Sequence, residues 1–221
     1  MSEELNENLG LQMHDLTKRL FPLNRSITGQ GFRQSLAIIN KELEGKLKIH
    51  SIKSGTKVFD WTVPCEWNAK EAFIITPSEE KICDFKQNNL HLWGYSEAAN
   101  KELSLEELNE HLYSLPTLPE AIPYVTSYYK KTWGFSIAHN QRKSLKKGTY
   151  KVFIDAKHDE NGVLNYADLL IKSSKSKDEI LISTYLCHPS MANNELSGPV
   201  VATFLAKILA STGGGACKFE L

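Results

Sequence analysis

Apolar residues recur at helical spacing through residues 9–21, with Leu9, Met13, Leu16 and Leu20 on one face, and predict an amphipathic helix ending near Pro22. A loop, Pro22 to Gly29, separates it from a second helix predicted from about Gly31 to Leu43. Phe32, Leu36, Ile39 and Leu43 share the apolar face of that helix, and Gly45 supplies its stop. From Lys46 the period falls to two. Lys46–His50, Ser51–Lys53 and Val58–Val63 alternate polar with apolar residues and predict short strands. Glu71–Thr76 and Lys81–Phe85, joined by Pro77–Glu80, predict a hairpin, and Leu90–Gly94 a further strand. Ser104 with Glu107 forms a capping-box pattern, so a short helix is expected there. It ends before the loop that holds Pro116, Pro119 and Pro123. Tyr128–Gly134 predicts a helical turn leading into Phe135–His139.

Two more strands are predicted at Tyr150–Asp155 and Val163–Ile171, with Asp159–Gly162 between them as a hairpin turn. Ser173–Lys177 reads as a solvated linker. Ile180–Cys187 is a short apolar run with the β-branched content of a buried strand. It stops at His188-Pro189, a polar loop from Ser190 to Glu195 follows, and Ser197-Gly198-Pro199 opens an apolar helix that runs to Leu209. A strand that empties into a polar loop before a helix is where open α/β sheets place their chemistry. The three glycines at 213–215 end that helix. A single buried strand needs parallel neighbours, and few are visible in the remaining sequence, so a C-terminally incomplete α/β core is expected; a small α+β domain with a loose tail is the alternative.

With 221 residues the chain holds one large domain or two small ones. The 26 basic residues equal the 26 acidic ones, which gives no electrostatic ground for a nucleic-acid or membrane-surface partner. No apolar run approaches membrane-span length and the N-terminus is acidic and polar, so neither a span nor a signal peptide is predicted. Cys65, Cys83, Cys187 and Cys217 are widely spaced without a CxxC pair, which fits free thiols in a cytoplasmic protein.

His188 is the strongest chemical candidate. A zinc hydrolase needs His nitrogen and carboxylate oxygen ligands on strand ends with one position left for water. His188 with a ligand from the 193–195 loop fits half of such a site, although Asn offers only a neutral oxygen. Cys187 and His188 are consecutive at the strand end and are expected to point to opposite faces, which argues against a Cys–His nucleophile pair and for Cys187 as a small buried hydrophobe. Ser197 is expected to cap the following helix. His14 lies on the first helix without partners, and His91 and His139 lie on predicted strands; all three read as structural. Trp61, Trp67, Trp93 and Trp133, with Tyr124, Tyr128 and Tyr129, read first as core and alternatively as a saccharide- or peptide-stacking surface.

Five segments together carry a resemblance: Leu20–Gly29, Phe59–Pro64, Asn89–Tyr95, Ile122–Tyr129 through Trp133–Phe135, and Cys187–Gly198. In this order they resemble the zinc aminopeptidase-like proteins of bacterial surface-polysaccharide gene clusters. The resemblance implies a partial zinc-exopeptidase-like α/β core with an inserted β-rich domain. The domain expectation is N-terminal helices over 1–45, the insertion over 46–148, and the start of the core over 149–221. It further implies zinc as cofactor, a peptide or amide-containing small substrate, and His188 as the first zinc ligand. Asn194 falls where the related enzymes place a metal-bridging Asp, and Ser190 where they place the Asp that orients the His. Their catalytic Glu, later ligands and winged helix would lie beyond Leu221, so this portion alone is expected to be inactive. A non-catalytic saccharide- or peptide-binding module is the alternative function.

Overall fold

The computed structural model of the chain describes residues 3–172, 178–212 and 217–220. The expected linker at Ser173–Lys177 and the glycine run lie outside the described residues. The chain forms two compact units: residues 1–63 with 161–221, and residues 64–160.

The first unit opens with α1 (Glu3–Leu20) and α2 (Gln30–Glu42), where the periodicity predicts them. Leu16 and Leu20 of α1 and Leu36 and Ile39 of α2 are fully buried, in one apolar core with Ala167, Leu186, Leu196 and Phe204. Each large side chain so buried contributes about 1.5–3 kcal/mol. α2 ends as its sequence suggests: Glu44 and Gly45 turn left-handed, and the Gly45 N–H returns to the Asn40 carbonyl at 2.8 Å. Gly31 is needed for proximity. A β-carbon there would lie 1.9 Å from the Asn24 carbonyl oxygen, so the loop after α1 is pressed onto the first turn of α2. Strand β1 (Lys48–Lys53) follows, and then the small hairpin of β2 (Lys57–Val58) and β3 (Trp61–Thr62).

The inserted unit contains β4 (Glu66–Ile75), β5 (Lys81–Ile82), β6 (Ala99–Ser104), α3 (Leu105–Asn109), β7 (Leu112–Tyr113), β8 (Phe135–Ser136), α4 (His139–Lys143) and β9 (Thr149–Asp159). Its antiparallel sheet has the order β5-β4-β9-β6. The β4–β5 hairpin and the Ser104–Glu107 capping box at α3 both form as the sequence predicts. The strand expected at Leu90–Gly94 does not. The Asn88 side chain accepts the Leu90 N–H and turns Asn89–His91 into a 3₁₀ segment, leaving only isolated bridges, from Leu92 to Phe135 and from Gly94 to Thr126, among the described residues. His139 begins α4 rather than ending a strand. The segments Asn89–Tyr95 and 122–135 hold one another in this unit. Trp93 N–H donates to the Gly134 carbonyl at 3.0 Å and Gly94 N–H to the Val125 carbonyl at 2.9 Å. Gly134 has no room for a side chain, because a β-carbon would meet the Trp93 ring at 2.5 Å.

The chain returns to the first unit through β10 (Val163–Ile171), β11 (Ile180–Ser183), α5 (Ser197–Thr212) and β12 (Cys217–Glu220). The sheet order is β1-β10-β12-β11, with β12 parallel to β11 and antiparallel to β10. Three expectations change here. The Asp159–Gly162 turn does not close a hairpin: β9 pairs with β4 and β6, β10 with β1 and β12, so the turn carries the chain from one unit to the other. The strand expected over 180–187 stops at Ser183. Ile180 and Leu181 are exposed, because among the described residues β11 is the outer strand of its sheet. The tail beyond α5 supplies the parallel partner that the sequence did not show. Strand β1 pairs with β10 in the first unit and β9 with β4 in the second, the compact unit of residues 64–160. Among the described residues no helix is long and apolar enough to cross a membrane.

Candidate metal centre

Past Ser183 the chain leaves the regular strand, and Thr184 to Pro189 runs without repeating structure. Ser190 takes a left-handed φ of 50°, and a single π-helical turn, Ala192–Leu196, leads into α5. π-turns are frequent at functional sites because the extra residue re-aims side chains. Here Glu195 is turned fully inward while Asn193 and Asn194 stay exposed. Gly198 allows this close junction, since a β-carbon there would lie 2.4 Å from Thr184 Oγ1. Ser197 does not cap α5; its hydroxyl donates back to the Asn193 carbonyl at 2.6 Å.

His188 is gripped from both sides of its backbone. Its N–H donates to Glu195 Oε1 at 2.7 Å, and its carbonyl accepts from Arg25 Nη2 at 2.9 Å. Its Nδ1 lies 2.9 Å from Glu195 Oε2, an ion-pair distance without the alignment of a hydrogen bond. The Tyr185 ring meets the imidazole edge-on, with centroids 5.9 Å apart. Because the strand has already ended, strict alternation does not apply at 187 and 188, contrary to the sequence expectation. Donor atoms of Cys187, His188 and Glu195 all lie within 4.8 Å of one another. Contact with Cys187, and then with Glu195, pushes the imidazole pKa up to about 10 against a smaller burial effect.

Arg25 comes from the loop after α1 and is 1% exposed. Its Nη1 donates to the Leu20 carbonyl, so the guanidinium ties the end of α1 to the His188 loop. Burial pulls its pKa down to about 10, opposed by the nearby Glu195 and Cys187 charges. Sequence reasoning passed over Arg25 as a site residue and did not separate Glu195 from its loop neighbours. The available signal was that Arg25 and His188 both sit in segments carrying the family resemblance. Of the two residues expected as ligands, the structure brings His188 into the cluster and leaves the Asn194 side chain exposed one position from Glu195; its carbonyl accepts from the Tyr185 hydroxyl at 3.5 Å. Ser190 is half-buried at the left-handed turn.

The donor set of sulfur, imidazole nitrogen and carboxylate oxygen is one that zinc accepts. Zinc bonds of about 2.0–2.3 Å would fit donors spaced as these are, with the 2.9 Å nitrogen–oxygen contact opening by a few tenths of an ångström.

The irregular loop after β11 thus sets His188 against the buried Glu195 carboxylate, within a mixed helix-and-sheet unit whose sequence is interrupted by residues 64–160. The chain belongs to the family described as Domain of unknown function (DUF4910), whose model matches residues 14–217. It is 46% identical over 213 residues to a Clostridium acetobutylicum protein named for an inferred role in polysaccharide biosynthesis and for an aminopeptidase-like domain; the match covers 94% of this chain and 48% of that protein. A crystal structure of an inferred peptidase from Clostridium acetobutylicum superimposes with a TM-score of 0.91 at 43% identity, over 99% of this chain and 52% of that one. The zinc aminopeptidase BSAP of Bacillus subtilis shares the fold at a TM-score of 0.57 and 11% identity, over 97% of this chain and 60% of its own. The chain thus spans about half the length of the curated relative it matches.

Proposed function

We propose that this chain is one part of a zinc-dependent aminopeptidase-like hydrolase that acts on a peptide or an amide-containing small substrate. The observation that carries the reading is His188, fixed at its N–H by Glu195 and at its carbonyl by Arg25, with its ring in a cluster of metal-type donors. His188 would hold the ion through an imidazole nitrogen. Asn194 stands where the resemblance places a bridging Asp, and would offer its neutral amide oxygen from the exposed side of the π-turn. Bound zinc supplies an acidified water and polarises an amide carbonyl. The two backbone hydrogen bonds orient the ligand, and the buried Glu195 carboxylate compensates positive charge at the imidazole.

Glu195 is an unsuitable general base, because it is inaccessible and already accepts the His188 N–H. The chain alone is therefore expected to bind metal without turnover. The free thiols at Cys65, Cys83 and Cys187 support the cytoplasm as the place of action. The naming of the curated relative supports a polysaccharide-biosynthesis setting.

Metal analysis of the purified chain, with an assay for release of arylamine from an aminoacyl-arylamide, tests the reading. About one zinc per chain, lost in His188→Ala, is expected together with no turnover. Absence of bound zinc would sink the metal assignment, and turnover abolished by His188→Ala would overturn the inactivity.

A second reading rests on the inserted unit. Trp67 stacks on Tyr95, Tyr95 meets Tyr128 edge-on at 4.8 Å, and Tyr129 beside it is 87% exposed. An exposed tyrosine on a rigid aromatic base suits stacking of a saccharide or a peptide ring. Saturable quenching of the intrinsic fluorescence by a glycan or peptide, unchanged by chelator, would favour this reading.

A further inference from the structure

We infer that Cys187 is a third protein ligand to the ion held at His188, so that a sulfur, nitrogen and oxygen site is completed by Glu195 within this chain. The inference rests on the zinc reading above and adds to it a ligand set different from the His188 and Asn194 pair that the resemblance implies.

Three observations converge. The strand that would have separated residues 187 and 188 onto opposite faces ends at Ser183, and the irregular backbone after it lets both side chains reach one point. The π-turn supplies the oxygen: Glu195 is buried, its Oε1 accepts the His188 N–H and its Oε2 lies 2.9 Å from His188 Nδ1, so carboxylate and imidazole face one point. The exposures differ in the way an open site requires: Glu195 is enclosed, whereas Cys187 and His188 are half-buried and reachable by an ion and by water. Asn194 is the weaker oxygen donor on two counts. Its amide is neutral, and its side chain lies on the exposed side of the turn. A thiolate also decides which ion is taken, because soft sulfur favours zinc or cobalt over magnesium or calcium. Arg25, buried beside Glu195 and Cys187, offsets their joint negative charge.

Cobalt(II) titration of the 221-residue chain reads the ligand set directly, since only a bound thiolate gives a sulfur-to-cobalt charge-transfer band in the near ultraviolet. The band is expected at about one cobalt per chain and should disappear in Cys187→Ser. Even partners outside the ligand set are worth about 10–100-fold in affinity, so losing the thiolate should weaken cobalt binding about a hundredfold or more. Cys65→Ser, which removes a half-buried thiol of the inserted unit, should leave band and affinity unchanged. Circular dichroism of each variant establishes that it is folded. Stoichiometric cobalt without the band, sensitive to His188→Ala and Asn194→Ala but not to Cys187→Ser, would overturn the role of Cys187 and leave the zinc reading standing. Absence of stoichiometric binding by metal analysis would remove both.

Discussion

Each compact unit holds a histidine in defined contacts, His91 against a backbone carbonyl and His188 against side chains, and the two are driven in opposite directions. His91, in the inserted unit, is buried and shares a 2.8 Å hydrogen bond with the Ser136 carbonyl; burial lowers its pKa, with smaller opposition from that carbonyl and from Asp84. His188, in the first unit, is half-buried beside a thiol and a carboxylate, and its pKa is raised. Location in a segment carrying the family resemblance does not distinguish them, since Asn89–Tyr95 and Cys187–Gly198 both do. Their partners do. A carbonyl in a buried setting leaves His91 favouring its neutral form, whereas the ionisable neighbours of His188 favour its charged form.

The largest expected effect comes from removing the group that makes His188 different. Glu195→Ala leaves the His188 N–H without its acceptor and removes the carboxylate near buried Arg25, and should cost about 3 kcal/mol. Urea unfolding measures it; a loss below about 0.5 kcal/mol would put the charged cluster on a par with ordinary surface positions. In the inserted unit, where packing takes the place of charge, Gly134→Ala forces a methyl against the Trp93 ring and should cost about 2 kcal/mol. Metal binding should be unchanged in that variant; if it falls, the two units are energetically coupled and the contrast fails. The smallest effect is one of pH. In the metal-free chain the folded-state pKa of His188, about 10, exceeds its ordinary 6.5. Its stabilisation is therefore complete below about pH 6.5 and is lost as pH rises through about 10. The stability difference between the native chain and His188→Ala should shrink over that window, and a difference that stays constant would place the imidazole outside the ionic cluster.

Much of the frame was legible because its signals are local. The 3.6-residue period of Leu9 to Leu20 and of Phe32 to Leu43, the stop at Gly45 and the Ser104–Glu107 box each depend on residues within a few positions of one another. What failed depends on distant partners. Asp159–Gly162 has hairpin chemistry, yet a turn specifies only a reversal, and pairing went to strands distant in sequence, β4 and β6 for β9, β1 and β12 for β10. The inward Glu195 lies in a π-turn, which no composition marks. His188 was found because it ends an apolar run. Arg25 was not, because its partner lies 163 residues away.

The way the insertion is seated has a consequence for how such proteins can be edited. Ser54 and Gly55, consecutive in sequence, hold both of its stems: the Ser54 N–H donates to the Gly162 carbonyl at 3.0 Å, and the Gly55 N–H to the Val63 carbonyl at 2.8 Å. The chain therefore leaves and re-enters the host at a single gate, and closing that gate with a short turn spans little distance and adds little loop entropy. Joining residue 63 to residue 161 through a short turn is therefore expected to leave α1, Arg25 and the His188 loop folded, which circular dichroism and urea unfolding of the shortened chain would check.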